Sequence, residues 1–193
     1  PLQSSSAASD VYKRQLKESK AYSGDFWLFI GILTLILMSF QVILPTSIPV
    51  YNAIVELFGG FSNLAPPAEK EIFYSNAQIW FASSLAIFSS IAQVLWWRKN
   101  KSKNIVSLFS NPLAITLVLS SLVIYIYPIT KPSYMILLTA SIFSIFSNGS
   151  VLIYFIRKKD LISSASVSHI GLAVMLIGIL FSSGYSSIVS KNY

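Results

Sequence analysis

The chain has 193 residues, of which 54% are apolar and only 11% charged, with a mean hydropathy of +0.65, so several of its segments belong in lipid rather than in a water-soluble domain. It has no cysteine, which excludes disulfides, thiolate metal sites, iron–sulfur clusters and thiol nucleophiles from this stretch. The formal charge of +7 is spread in short basic runs between apolar stretches; that pattern describes membrane topology, and no nucleic-acid-binding face is predicted.

Residues 1–15, PLQSSSAASDVYKRQ, share neither the composition nor the rhythm of the rest of the chain and read as a non-native or disordered leader, leaving 16–193 as the membrane portion. Ser23, Gly24 and Asp25 then read as an N-cap with an acidic residue in the first helical turn. Five apolar segments come next: Phe26 to Leu44, Ala77 to Trp97, Pro112 to Tyr127, Tyr134 to Ile156, and Val167 to about Ile188. Each can cross a bilayer, which takes about 20 residues. The third is expected to start at Asn111-Pro112, as cap and first helical position, and to end at Pro128. The fold class is therefore all-α, a polytopic transmembrane bundle of about five spans.

Lysine and arginine accumulate on the cytoplasmic side of membrane proteins. With the N-terminus inside, that side holds Lys17, Lys20, Arg98, Lys99, Lys101, Lys103, Arg157, Lys158 and Lys159, against only Lys70, Lys131 and Lys191 outside. The C-terminus and the segment from Pro45 to Asn76 are then outside, and Trp96 and Trp97 sit at the inner interface as an aromatic belt. Within the outer segment, Val50, Tyr51, Ile54, Val55 and Phe58 share one helical face and Asn52 and Glu56 another, which predicts a short interfacial helix between Pro49 and Gly59-Gly60. Ile54, Val55 and Phe58 are expected to hold it as a flap over the bundle, with FSNLAPPAEKEIFYSN returning irregularly to the membrane.

His169 is the ionisable side chain well inside an apolar span. Intramembrane ionisable groups usually face the bundle interior, and a histidine there can be a haem or metal ligand, a proton carrier, or a hydrogen-bonding residue between helices. No Asp, Glu, Lys or Arg joins it within a span, which disfavours a proton relay and leaves a neutral imidazole beside a large apolar cofactor as the better fit. Gly171, Ala173, Gly178, Ser182 and Gly184 surround it with small residues that admit either a neighbouring helix or a flat cofactor, helix packing being the more ordinary use. Ser141, Ser144, Ser147 and Asn148 form a polar stripe on the fourth span, read first as interhelical hydrogen bonding. Asn148-Gly149-Ser150 matches a glycosylation sequon but lies inside a span and is discounted. With no nucleophile–base pair and no second histidine, enzymatic chemistry cannot be built from this stretch alone.

The stretches SGDFWLFIGILTLIL, LPTSIPVYNAIVELFGG, APPAEKEIFYSNAQIWFA and SVSHIGLAVMLIGILFSSG together resemble the C-terminal part of the cytochrome c haem lyase family, CcmF/CcsA-type, from about Ser23 to Gly184. The most specific piece is the last, a histidine–glycine pair opening an apolar helix with a Ser-Ser-Gly exit. The resemblance implies cytochrome c biogenesis: haem received on the outer face of a bacterial inner membrane is joined to apocytochrome c, alongside other cytochrome c maturation components. It also implies a membrane-embedded haem b held by two transmembrane histidines, and His169 matches the second of these as an axial ligand to the haem iron. The family's tryptophan-rich WWD segment, outer histidine pair and first transmembrane histidine have no counterpart here; Trp96-Trp97-Arg98 is on the predicted inner side and lacks the aspartate. The resemblance therefore implies that lyase activity needs a preceding N-terminal portion. Where family members often carry Ser-Arg-Glu before the first of these helices, this chain has Ser23-Gly24-Asp25. Two other readings stand beside it: a fragment of a multi-pass transporter or permease in which His169 and the polar stripe line a substrate path, and a structural membrane subunit in which His169 bonds a neighbouring helix.

Overall fold

A computed structural model of the chain describes residues 24–98, 105–158 and 164–184. They form six helices: α1 (Gly24–Thr46), α2 (Ile48–Leu57), α3 (Lys70–Arg98), α4 (Ile105–Ile126), α5 (Pro132–Lys158) and α6 (Ser164–Gly184). All but α2 are long and apolar enough to cross a membrane, as the five apolar segments predict. Helices are the expected answer to such sequences, because in hydrocarbon each backbone N–H and C=O must find its partner within the segment itself.

Two boundaries differ from expectation. α3 begins at Lys70, about two turns before Ala77, and Glu71 lies in its first turn, where the helix dipole favours a carboxylate. α4 begins at Ile105, so Pro112 lies inside the helix and does not start it. The proline cannot donate to the preceding turn, but the turns before it are retained, and Phe109 stacks on Phe143 of α5 with ring centroids 6.3 Å apart. The expected cap Ser23, the leader 1–15 and the tail beyond Gly184 lie outside the described residues.

The side-chain pairings fix an up-and-down order. α1 lies antiparallel to α3, with Gly24 against Ala92 and Trp96, Trp27 beside Phe88 (5.6 Å), and Gln78 Nε2 donating to Gln41 Oε1 at 2.8 Å. α3 runs parallel to α5, where Asn148 Nδ2 donates to Ser90 Oγ at 3.3 Å. α6 lies antiparallel to α3, where Gln93 Nε2 donates to Ser166 Oγ at 3.1 Å. The end of the bundle where α1 and α6 begin is the near end; at the far end Tyr127 meets Phe181 edge-on at 5.5 Å.

α5 is the hub. It packs on α3, α4 and α6, and its buried residues run around the helix from Leu137 to Val151. Ser141, Ser144, Ser147 and Asn148 are all buried, as interhelical glue requires. Asn148 also donates to the Ser144 carbonyl at 2.9 Å, whereas its Oδ1 and the Ser147 hydroxyl oxygen are buried without a protein partner. Complete burial also disposes of Asn148 as a glycan acceptor. Asn148→Ala is expected to lower bundle stability by about 1–2 kcal/mol, the range of an interhelical hydrogen bond in a membrane, measured by unfolding in mixed micelles. Ser84→Ala, in a half-buried position on α3, provides the reference.

The outer segment departs from the expected flap. α2 exists, but Ile54 and Phe58 are exposed, at 51% and 84%, and only Val55 turns inward. Val55 packs beneath Gly60 of the following turn and makes no seal over the bundle; a Cβ on Gly60 would come within 2.8 Å of its Cγ1.

Candidate functional site

His169 lies in the second turn of α6, where the helix leaves the near end, and is half-buried. It faces a half-open cavity of about 620 Å³ lined by α1, α3, the last turns of α5 and the start of α6. That size falls within the usual range for a small-molecule or cofactor site, about 300–1,000 Å³. Trp27 of α1, Trp96 of α3 and Phe155 of α5 supply aromatic walls, while Gly24, Gly31, Ala92 and Ala165 keep the walls thin. The cavity is mostly apolar. Besides His169, its polar lining comes from Asp25, Ser89, Gln93 and Ser164.

The local sequence explains the shape. Gly24 opens α1 against the α3 backbone: a Cβ there would stand 2.9 Å from the Trp96 amide nitrogen and 3.1 Å from the Ala92 carbonyl oxygen. A larger residue would force this crossing apart. One turn before His169, Ser166 is fully buried and receives the Gln93 hydrogen bond, which fixes the rotation of α6 about its axis and with it the face that bears the imidazole.

The small residues beyond His169 do not behave as helix-packing residues within this chain. Gly171 and Gly178 are exposed, and a Cβ on either would meet nothing within 4 Å; Ala173 is the small residue of α6 that is buried. Nor does the polar stripe of α5 join the site: Asn148 bonds Ser90 of α3 and Ser144 of its own helix, and none of the stripe residues lines the cavity. The sequence reading missed Ser90 and Gln93, although Ser83, Ala86, Ser90 and Gln93 recur at helical spacing through the second span and mark its buried face. It also missed Trp27, which walls the His169 cavity on one side and, on the other, a second and mostly apolar cavity of about 740 Å³ between α3, α4 and α5. The two hydroxyls on that second cavity, Thr116 and Thr139, are spent on the carbonyls one turn back, at 2.7 and 2.8 Å.

Among the described residues no three His, Cys, Asp or Glu side chains gather to hold a bare metal ion. A haem asks less of the protein, since its macrocycle fills the equatorial positions and one imidazole can serve one axial position. An apolar, aromatic-walled cavity with one histidine at its edge suits such a group on one side of its iron. No family model, curated protein or solved structure matches the chain.

Proposed function

We propose that this chain is the haem b-binding membrane part of a haem lyase-like protein of cytochrome c maturation. The observation that carries the reading is the position of His169, on the edge of an aromatic-walled cavity large enough for a cofactor, combined with the four stretches that resemble the haem lyase family. When bound, the haem supplies one-electron redox chemistry at its iron. The chain's own residues would hold it: the His169 imidazole would ligate the iron, Trp27, Trp96 and Phe155 would pack on the macrocycle, and the Gln93–Ser166 bond keeps α6 in register. His169 is the one histidine the sequence offers for this role. A transporter reading is less well supported, because Ser141, Ser144, Ser147 and Asn148, which it would need along a path, are buried in the packed interior away from the His169 cavity.

The test is a haem titration of the purified protein in lipid nanodiscs followed by Soret absorbance. Saturable binding with a shifted Soret band supports the reading, and a titration that stays linear, as for haem partitioning into lipid, overturns it.

The same reading places the chain in a bacterial inner membrane with the near end cytoplasmic, as the distribution of Lys and Arg favours. Cysteines introduced at Asn63 and Ser102 are expected to react with a membrane-impermeant maleimide from opposite sides. Asn63 is preferred to Ser62, which is engaged in a hydrogen bond. Labelling of both from one side would reject the five-span arrangement.

A further inference from the structure

The segment from Ser47 to Ala68 presents large apolar side chains outward while pairing several of its polar groups internally. Tyr51, Ile54, Leu57, Phe58, Phe61 and Leu64 are between 51% and 84% exposed. Asn52 clamps the segment from within: its Nδ2 donates to the Leu64 carbonyl at 2.8 Å, and its Oδ1 accepts the Ser62 hydroxyl at 2.7 Å. The amides that end α2 are also satisfied, Phe58 N by Ile54 O, Gly59 N by Glu56 O and Gly60 N by Val55 O, in a turn that needs the positive φ of Gly59. Each polar atom paired in this way lowers the cost of moving the segment out of water.

Two observations select what covers these side chains. Glu56 is the only charged residue from Phe26 to Ala68, and it shares the α2 face of Asn52. The apolar surface also runs without a break from the bilayer-facing flank of α1, where Phe29, Phe40, Ile43 and Leu44 are each more than half exposed. The backbone carries it across, with Ser47 N bonded to Ile43 O and Tyr51 N to Ser47 O, both at 2.9 Å. From these we propose that the Asn52-clamped segment is a membrane-inserting knuckle, with Leu57, Phe58 and Phe61 buried in the headgroup and upper acyl region of the leaflet that α1 exits. The partner is the lipid surface. Neither the haem site nor a protein ligand is its target, and the inference is independent of the haem reading.

The absence of cysteine makes the test direct. Single cysteines at Phe58 and Phe61, and at Phe29 on α1 as the lipid-facing reference, are spin-labelled in the full chain in phosphatidylcholine nanodiscs. Relaxation by oxygen, which partitions into lipid, is compared with that by a water-soluble nickel chelate. Both knuckle labels are expected to be relaxed more by oxygen than by nickel, as Phe29 is. Adding Asn52→Ala is expected to reverse that preference at Phe61. Dominant nickel relaxation would place the segment in water, protection from both reagents would place it against protein such as a second copy, and an unchanged Phe61 label in the Asn52→Ala background would show that the clamp does not position it; each of these overturns the proposal.

Discussion

On the proposed haem reading, replacing His169 with alanine is expected to remove the b-type haem spectrum, with partial recovery when imidazole is added to the buffer. The cavity otherwise offers iron only carboxylate, amide and hydroxyl oxygens, which are poor substitutes for imidazole at a low-spin haem. Haem affinity should fall by more than the roughly 10- to 100-fold that loss of a mere outer partner of a metal ligand produces. His169 is half-buried, so truncation to alanine leaves a space that small imidazole can fill. Gly171→Ala is the companion variant: its methyl points into open space, so its haem spectrum should match the parent's. An unaltered spectrum in His169→Ala would remove the ligand assignment.

Among the described glycines of the spanning helices, Gly24→Ala should be the most damaging. Its new Cβ would sit 2.9 to 3.1 Å from the backbone atoms of Ala92 and Trp96, and backbone cannot rotate away as a flexible side chain can. Overpacking of this kind costs about 1–3 kcal/mol. The helix-propensity gain that ordinarily accompanies glycine to alanine, about 1 kcal/mol in a helix interior, is small at the first residue of a helix. The effect also has a direction: separating α1 from α3 at the near end widens the cavity that Gly24, Trp27, Trp96 and His169 line. Loss of stability in micelle unfolding should therefore come with weakened ligand binding. Gly171→Ala and Gly178→Ala should be neutral or slightly stabilising by the same assay. If all three variants unfold alike, α1 does not approach α3 as closely as the packing requires.

The contrast between these glycines shows what the sequence could and could not disclose. The five spans and the position of His169 are written in hydropathy and in a lone ionisable group, both one-dimensional properties. Which face a small residue turns toward a neighbour is a property of two helices at once, so Gly171 and Gly178 read as packing residues while Gly24, at a helix start, read only as part of a cap. The polar stripe of α5 was legible because its serines are spaced for one face, but its partner Ser90 could be found only by asking which other span carried a matching buried face. Pro112 and the start of α3 misled for a simpler reason: capping preferences describe ends in isolation, and both helices extend beyond the apolar stretch that marks their membrane crossing. The outer segment was correctly read as a helix with an apolar face. Its orientation was not, because the internal bond of Asn52 to residues ten and twelve positions later has no local signature.

The central place of α5 also bears on biosynthesis. α1 and α3 are neighbours that can pair as soon as both have left the ribosome, but the packing of α4 is chiefly against α5, and α6 packs against α5 and α3. Membrane helices insert first and associate afterwards. A nascent chain arrested before Pro132 should thus hold an α1–α3 hairpin with α4 adrift in lipid, its buried Thr116 and Ser120 face open to crosslinking by the insertion machinery. Emergence of α5 would end that exposure in one step, making the fourth span the point at which the bundle is released from its translocon.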